Sequence, residues 1–151
     1  MCIRDRGIPA GIAAALRFPD RQVYSIVGDG GALMTGSELA TAVAQKAKIR
    51  VIVANNNHYG TIRYHQEVHF PTRHHYATNL VNPDFAKYGE SFGLKCFTIF
   101  NTEEILPTIR SAMKVNGPSL IEFKMSLELN TSTTTISVSY THLTLPTILL
   151  V

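Results

Sequence analysis

The sequence predicts an α/β fold, a parallel sheet covered by helices on both faces. Three observations carry that expectation. Apolar runs of strand length, at 22–27, 50–54, 95–99 and 119–124, alternate with segments of helical periodicity. Parallel strands need such crossover segments between them. Two polar words, Gly28-Asp29-Gly30 and Asn55-Asn56, close the first two runs with 24 residues between them. That places both at the carboxyl ends of strands, where open α/β sheets bind ligands.

The elements follow in order. Gly7 to Phe18 is a small-residue helix containing Ala13, Ala14 and Ala15, and Pro19-Asp20-Arg21 breaks it. Gln22 to Val27 is a buried strand, and Gly28 to Gly31 a tight glycine turn. Thr35 with Glu38 forms a capping box for a helix from about Gly36 to Lys46, with Leu39, Ala42 and Val43 facing the core. Arg50 to Ala54 is the second strand, and Asn55 to Tyr76 a polar, aromatic, histidine-rich segment. Asn82 caps a helix through Pro83, Phe85, Tyr88 and Phe92 that Gly93 closes. Lys95 to Ile99 is a strand. Thr102 caps the last helix, whose first turn holds Glu103 and Glu104 and whose apolar stripe is Ile105, Ile109 and Met113. Gly117-Pro118 ends it before the strand Ser119 to Lys124.

Composition bounds the function. The 151 residues are 45% hydrophobic and 17% charged, enough for one domain with a core. A net charge of +3 without a Lys/Arg run argues against nucleic acid. No apolar run nears the ~20 residues that span a bilayer. Two cysteines, Cys2 and Cys96, predict no disulfide framework and a cytoplasmic location. Gly7 to Leu16 has a signal-peptide look, against which stand Asp5, Pro9 and Gly11. Both ends read as foreign. After Leu129 no charged residue occurs, and seven threonines crowd into Thr131–Thr147. The head 1–6 and the tail 138–151 resemble translated sequencing-adapter ends, leaving 7–137 as the natural domain.

A carboxylate and a carboxamide meeting at two strand ends form an all-oxygen donor set for a hard cation such as magnesium. Magnesium completes its octahedron with water and substrate phosphates, so the pair predicts a phosphorylated ligand held through a metal. The flanks are more specific: Gly31-Ala32-Leu33-Met34-Thr35 and Glu38-Leu39-Ala40-Thr41-Ala42, then Tyr59-Gly60-Thr61-Ile62-Arg63 and His65-Gln66. Leu80-Val81-Asn82-Pro83-Asp84-Phe85-Ala86 and Gly117-Pro118-Ser119-Leu120-Ile121-Glu122 complete the pattern. From Gly7 to about Ser137 the chain resembles the C-terminal, diphosphate-binding domain of the acetolactate synthase and 2-oxo acid decarboxylase family, a Rossmann-like thiamine diphosphate-binding fold.

That resemblance implies thiamine diphosphate and magnesium as cofactors. Asp29, the Asn56 side chain and the backbone carbonyl of His58 would hold the metal. Gly30, Gly31 and Ala32 would present backbone N–H groups to the diphosphate, with Tyr59 and Gly60 also at the cofactor. Met34, Thr61 and Ile62 match positions near the reacting end. A 2-oxo acid would lose carbon dioxide, giving an aldehyde or a carboligation product. The family's activating glutamate belongs to a separate N-terminal pyrimidine-binding domain, usually of another subunit in a homodimer or tetramer. The catalytic residue is therefore not assigned, and the chain alone is expected to be inactive. A non-catalytic cofactor-binding domain for regulation or assembly is the alternative. A dinucleotide domain fits poorly, since no G-x-G-x-x-G follows the first strand.

Other residues read as structural. His65 and His69 are four apart, with His74 and His75 nearby, but Gln66 stands where a zinc protease needs Glu. Phe85, Tyr88 and Phe92 are core residues by spacing, and Cys96 a buried thiol. Lys46, Lys48 and Arg50 form a solvated cluster at a helix end.

Overall fold

The computed structural model describes residues 4–70 and 76–126. Four strands, β1 (Val23–Gly28), β2 (Ile49–Asn55), β3 (Lys95–Ile99) and β4 (Ser119–Lys124), form one all-parallel sheet in the order β1-β2-β4-β3. The helices are α1 (Gly7–Arg17), α2 (Asp29–Thr35), α3 (Leu39–Ala44), α4 (Gly60–His69), α5 (Phe85–Ser91) and α6 (Ile105–Met113). Arg4–Arg6 forms a 3-10 turn leading into α1. Residues 1–3 and the proposed tail 138–151 lie outside the described residues.

Alternation along the strands divides the core in two. Val23 and Val27 of β1 and Ile49, Val51 and Val53 of β2 pack with Ile8, Ile12 and Ala15 of α1, Leu39 and Ala42 of α3, and Phe85 of α5. On the opposite face Ile99 and Ile121 pack with Ala112, Ile105 and Ile109 of α6. Each face therefore carries helices, as expected. Beyond α6, β1 turns Tyr24 and Ile26 outward, and Ile26 is 68% exposed. Helix α1 lies close on the sheet because Gly11 has no side chain. A Cβ there would stand 2.7 Å from Ile49 Cδ1 and 3.0 Å from Ser25 Cβ.

Several local expectations are corrected. The stretch expected to be a glycine turn is already helical, since α2 begins at Asp29 directly after β1. The expected helix 36–46 is a 3-10 turn, Gly36–Glu38, followed by α3. Thr35 makes no side-chain cap; Glu38 accepts instead from the Thr41 hydroxyl at 3.0 Å. The polar segment after β2 contains a full helix, α4. Asp84, not Asn82, caps α5, its carboxylate accepting from Lys87 N–H at 3.1 Å. Asn101, not Thr102, caps the turn before α6, in a capping box with Glu104. Met113 is 47% exposed, and Ala112 takes its place in the core.

Arg50 is the largest correction, since it is 1% exposed. Its guanidinium donates to the carbonyls of Gly117, Val115 (2.7 Å) and Ile49 (3.2 Å). The first two gather the chain just beyond α6, where backbone carbonyls face a cation. Burial lowers the pKa of its guanidinium. Lys46 and Lys48 are exposed, as expected.

Candidate cofactor site

Strand register assembles the site. Gly28 of β1 lies beside Ala54 of β2, and Asn55 beside Lys124 of β4. Asp29 and Asn55 thus follow at adjacent carboxyl ends. Asp29 opens α2 and is 3% exposed. Its Oδ1 accepts from Gly30 N–H at 2.9 Å, and its Oδ2 from Asn82 Nδ2 at 2.7 Å. Both donors are neutral, and among the described residues no basic side chain pairs with this carboxylate. Buried charges are ordinarily paired or coordinate a metal.

Beyond β2 the chain folds into a compact turn. Asn56 Oδ1 accepts from His58 N–H at 3.0 Å, and its carbonyl lies 3.1 Å from His58 Nδ1. Asn57 takes a left-handed φ of 57°, which asparagine tolerates. The His58 carbonyl accepts from Gly60 N–H at 2.8 Å. A carbonyl oxygen has a second lone pair for a further ligand.

A cavity of about 340 Å³ opens between the end of β1, the first turn of α2 and the segment 58–61. Asp29, Gly30, Gly31, His58, Tyr59, Gly60 and Thr61 line it. Asn56 is half-buried beside it and does not contribute to its wall. Ala32 is 2% exposed and belongs to the core. Met34 and Ile62 stand on the surface, 51% and 40% exposed, outside the lining. Gly30 matters for space: an added Cβ would press on the Tyr59 ring, 2.8 Å from Cδ1.

A second cavity of about 340 Å³ lies at the ends of β2, β3 and β4, with Asn55, Asn82, Thr98, Glu122 and Lys124 in its wall. Glu122 is fully buried. Its Oε1 accepts from Asn55 Nδ2 at 2.6 Å and from Lys124 Nζ at 2.6 Å. Sequence reasoning assigned no role here to Asn82 or Glu122, although both stand within the family-like words it singled out. Elsewhere, the His65 and His69 rings lie 4.2 Å apart on α4 with their planes tilted by 48°, and the described residues contain no cluster of three metal-ligating side chains. His74 and His75 lie outside the described residues. Burial pushes the Cys96 thiol up to about 12, as an inert thiol requires. No helix among the described residues is long and apolar enough to cross a membrane.

A parallel sheet with a buried carboxylate opening a glycine-rich helix start at its carboxyl edge defines a class of α/β cofactor-binding domains. Residues 4–123 match the family model described as "Thiamine pyrophosphate enzyme, C-terminal TPP binding domain", and the chain belongs to that family. It is 36% identical over 122 residues to the thiamine pyrophosphate-containing protein YdaP of Bacillus subtilis, covering 81% of this chain and 21% of that one. It is 31% identical over 121 residues to the acetolactate synthase large subunit of Porphyra purpurea, covering 80% and 20%. A third relative, 3D-(3,5/4)-trihydroxycyclohexane-1,2-dione hydrolase of Bacillus subtilis, is 37% identical over 115 residues, covering 73% and 18%. Among solved structures, the thiamine diphosphate-dependent 4-hydroxybenzoylformate decarboxylase of Rhodococcus jostii superposes with a TM-score of 0.76 at 29% identity. That match covers 81% of this chain and 23% of the decarboxylase. The chain spans about a fifth of the length of these curated relatives.

Proposed function

We propose that this chain is the cofactor-binding half of a magnesium- and thiamine diphosphate-dependent enzyme that decarboxylates or carboligates 2-oxo acids. The observation that supports it most is Asp29, a buried carboxylate held, among the described residues, only by neutral donors beside a cavity of about 340 Å³. A divalent cation there would compensate the charge. Asp29, the Asn56 side-chain oxygen and the His58 carbonyl would hold it, all hard oxygen donors. Gly31, Tyr59 and Gly60 line the space that the diphosphate would take, while Gly30 N–H orients Asp29. Thr61 is the one substrate-side candidate in the cavity wall. Met34 and Ile62 would meet substrate only in a larger assembly.

Thiamine diphosphate, when bound, supplies the electron sink for the chemistry, and the protein positions it. The activating glutamate would come from a pyrimidine-binding domain, in a cytoplasmic homodimer or tetramer. The chain alone would then release no carbon dioxide from pyruvate. Amide chemical shifts read the site even when binding is weak. Adding thiamine diphosphate with magnesium should move the signals of Gly30, Gly31, His58 and Gly60, and Asp29→Ala should remove the magnesium-dependent part. Shifts unchanged by that substitution would overturn the metal assignment.

A further inference from the structure

We infer that Asn82 is a positioning residue that fixes the Asp29 carboxylate for its cation, an inference that rests on the metal reading above. Its Nδ2 lies 2.7 Å from Asp29 Oδ2, 2.9 Å from Asn55 Oδ1 and 3.1 Å from Asn57 Oδ1. Three oxygens surround one nitrogen, so the amide can face only this way; reversed, its oxygen would meet three others. An amide nitrogen has two protons for these three acceptors. The shortest contact is the one to the charged oxygen, as a charge-assisted bond should be.

The orientation is set from behind. Asn55 donates its own Nδ2 to Glu122 Oε1 at 2.6 Å, which leaves Asn55 Oδ1 facing Asn82 and the Asn57 N–H. Glu122 is held in turn by Lys124. A chain of side chains thus runs from β4 through β2 to Asp29, and Asn82 is its last link. Asn82 comes from the loop before α5, 53 positions from Asp29. With Gly30 N–H on Oδ1 and Asn82 on Oδ2, neither carboxylate oxygen can rotate freely, and their remaining lone pairs have fixed directions. Outer partners of this kind orient metal ligands, and their loss typically lowers metal affinity 10- to 100-fold.

Two measurements test this. In urea unfolding of the metal-free chain, Asn82→Ala should lower the folding equilibrium constant, and that effect should shrink at least threefold when Asp29 is already alanine. Equal effects in both backgrounds would overturn the proposal. Manganese(II) binding in the presence of thiamine diphosphate, read by water-proton relaxation, is the second. Asn82→Ala should weaken it on the order of tenfold. Asp84→Ala, which removes the α5 cap next door without touching Asp29, should leave it within twofold; equal loss in both would overturn the proposal. Asn82→Ser replaces the alanine variant if that one does not fold. Absence of manganese binding by the unaltered chain would sink the metal reading alone, and the unfolding cycle would still decide whether Asn82 holds Asp29.

Discussion

Gly30→Ala adds one methyl group where the Tyr59 ring already stands. The new Cβ would lie 2.8 Å from Tyr59 Cδ1, closer still to Cε1, and 3.5 Å from Leu80 Cδ1. Carbon atoms attract best at about 3.5–4.0 Å, so the ring must retreat by roughly 1 Å. Two effects oppose each other. Gly30 is in the first turn of α2, where alanine is favoured over glycine by up to ~1 kcal/mol. Forcing a methyl into a packed site costs about 1–3 kcal/mol. The net expectation is a loss of up to about 2 kcal/mol, a fall of several degrees in Tm. The functional effect should be larger, because both Gly30 and the Tyr59 ring it would displace line the cavity. Thermal melts by circular dichroism read the first quantity. Titration of thiamine diphosphate with magnesium, followed by the Gly31 and Gly60 amides, reads the second. A variant that melts at or above the parent and keeps its Tyr59 ring signals unshifted would refute the reasoning.

Arg50→Met should lower stability by about 3–5 kcal/mol, because methionine fills the space yet leaves the Gly117 and Val115 carbonyls buried without a donor. An unchanged urea midpoint would contradict that. Cys96 gives a pH dependence. Its thiol is raised from 9.0 to about 12 in the folded chain, chiefly by burial, so the unfolded chain loses this proton first. The stabilising contribution is complete below pH ~9 and disappears as pH rises toward 12. The parent should therefore lose stability relative to Cys96→Ala across that window. A constant difference between the two would show that the thiol is not shielded.

The strands were legible because β2 and β4, interior in the sheet, are near-continuous apolar runs, and the edge strands β1 and β3 are still short apolar-rich runs with polar ends. Lys95–Ile99 and Ser119–Lys124 are found where the sequence places them. Helix caps were not, and the reason is local degeneracy. Asn82 and Asp84 are equally able caps by residue type, and Asn101 and Thr102 are both common ones, so the backbone path selects between them. Arg50 was misread for another reason. A cation beside two lysines looks solvated, and its Gly117 and Val115 carbonyl partners lie more than 60 positions away. Separation along the chain also hides Asn82, 53 positions from Asp29: a residue freed from capping by Asp84 is available to the site, and nothing in the linear pattern shows it. The glycine-aspartate word was readable because the strand end and the buried carboxylate that opens α2 are consecutive there.

Asp29 also explains why binding and folding should be linked in this chain. A carboxylate 3% exposed, with two neutral donors and no basic partner among the described residues, opposes folding in the free protein. Its neighbours reduce that penalty without removing it, since each N–H contributes only part of what water or a cation would. Packing from α1, α3 and α5 against β1 and β2 must outweigh the remainder. On the proposed reading the cation removes the penalty in the folded state and finds no formed site in the unfolded chain. The gain is then RT ln(1 + [L]/Kd), about 2.7 kcal/mol at a hundredfold excess over Kd. Magnesium with thiamine diphosphate should accordingly raise Tm in the parent and not in Asp29→Ala. A rise of equal size in both would place the bound cation away from Asp29.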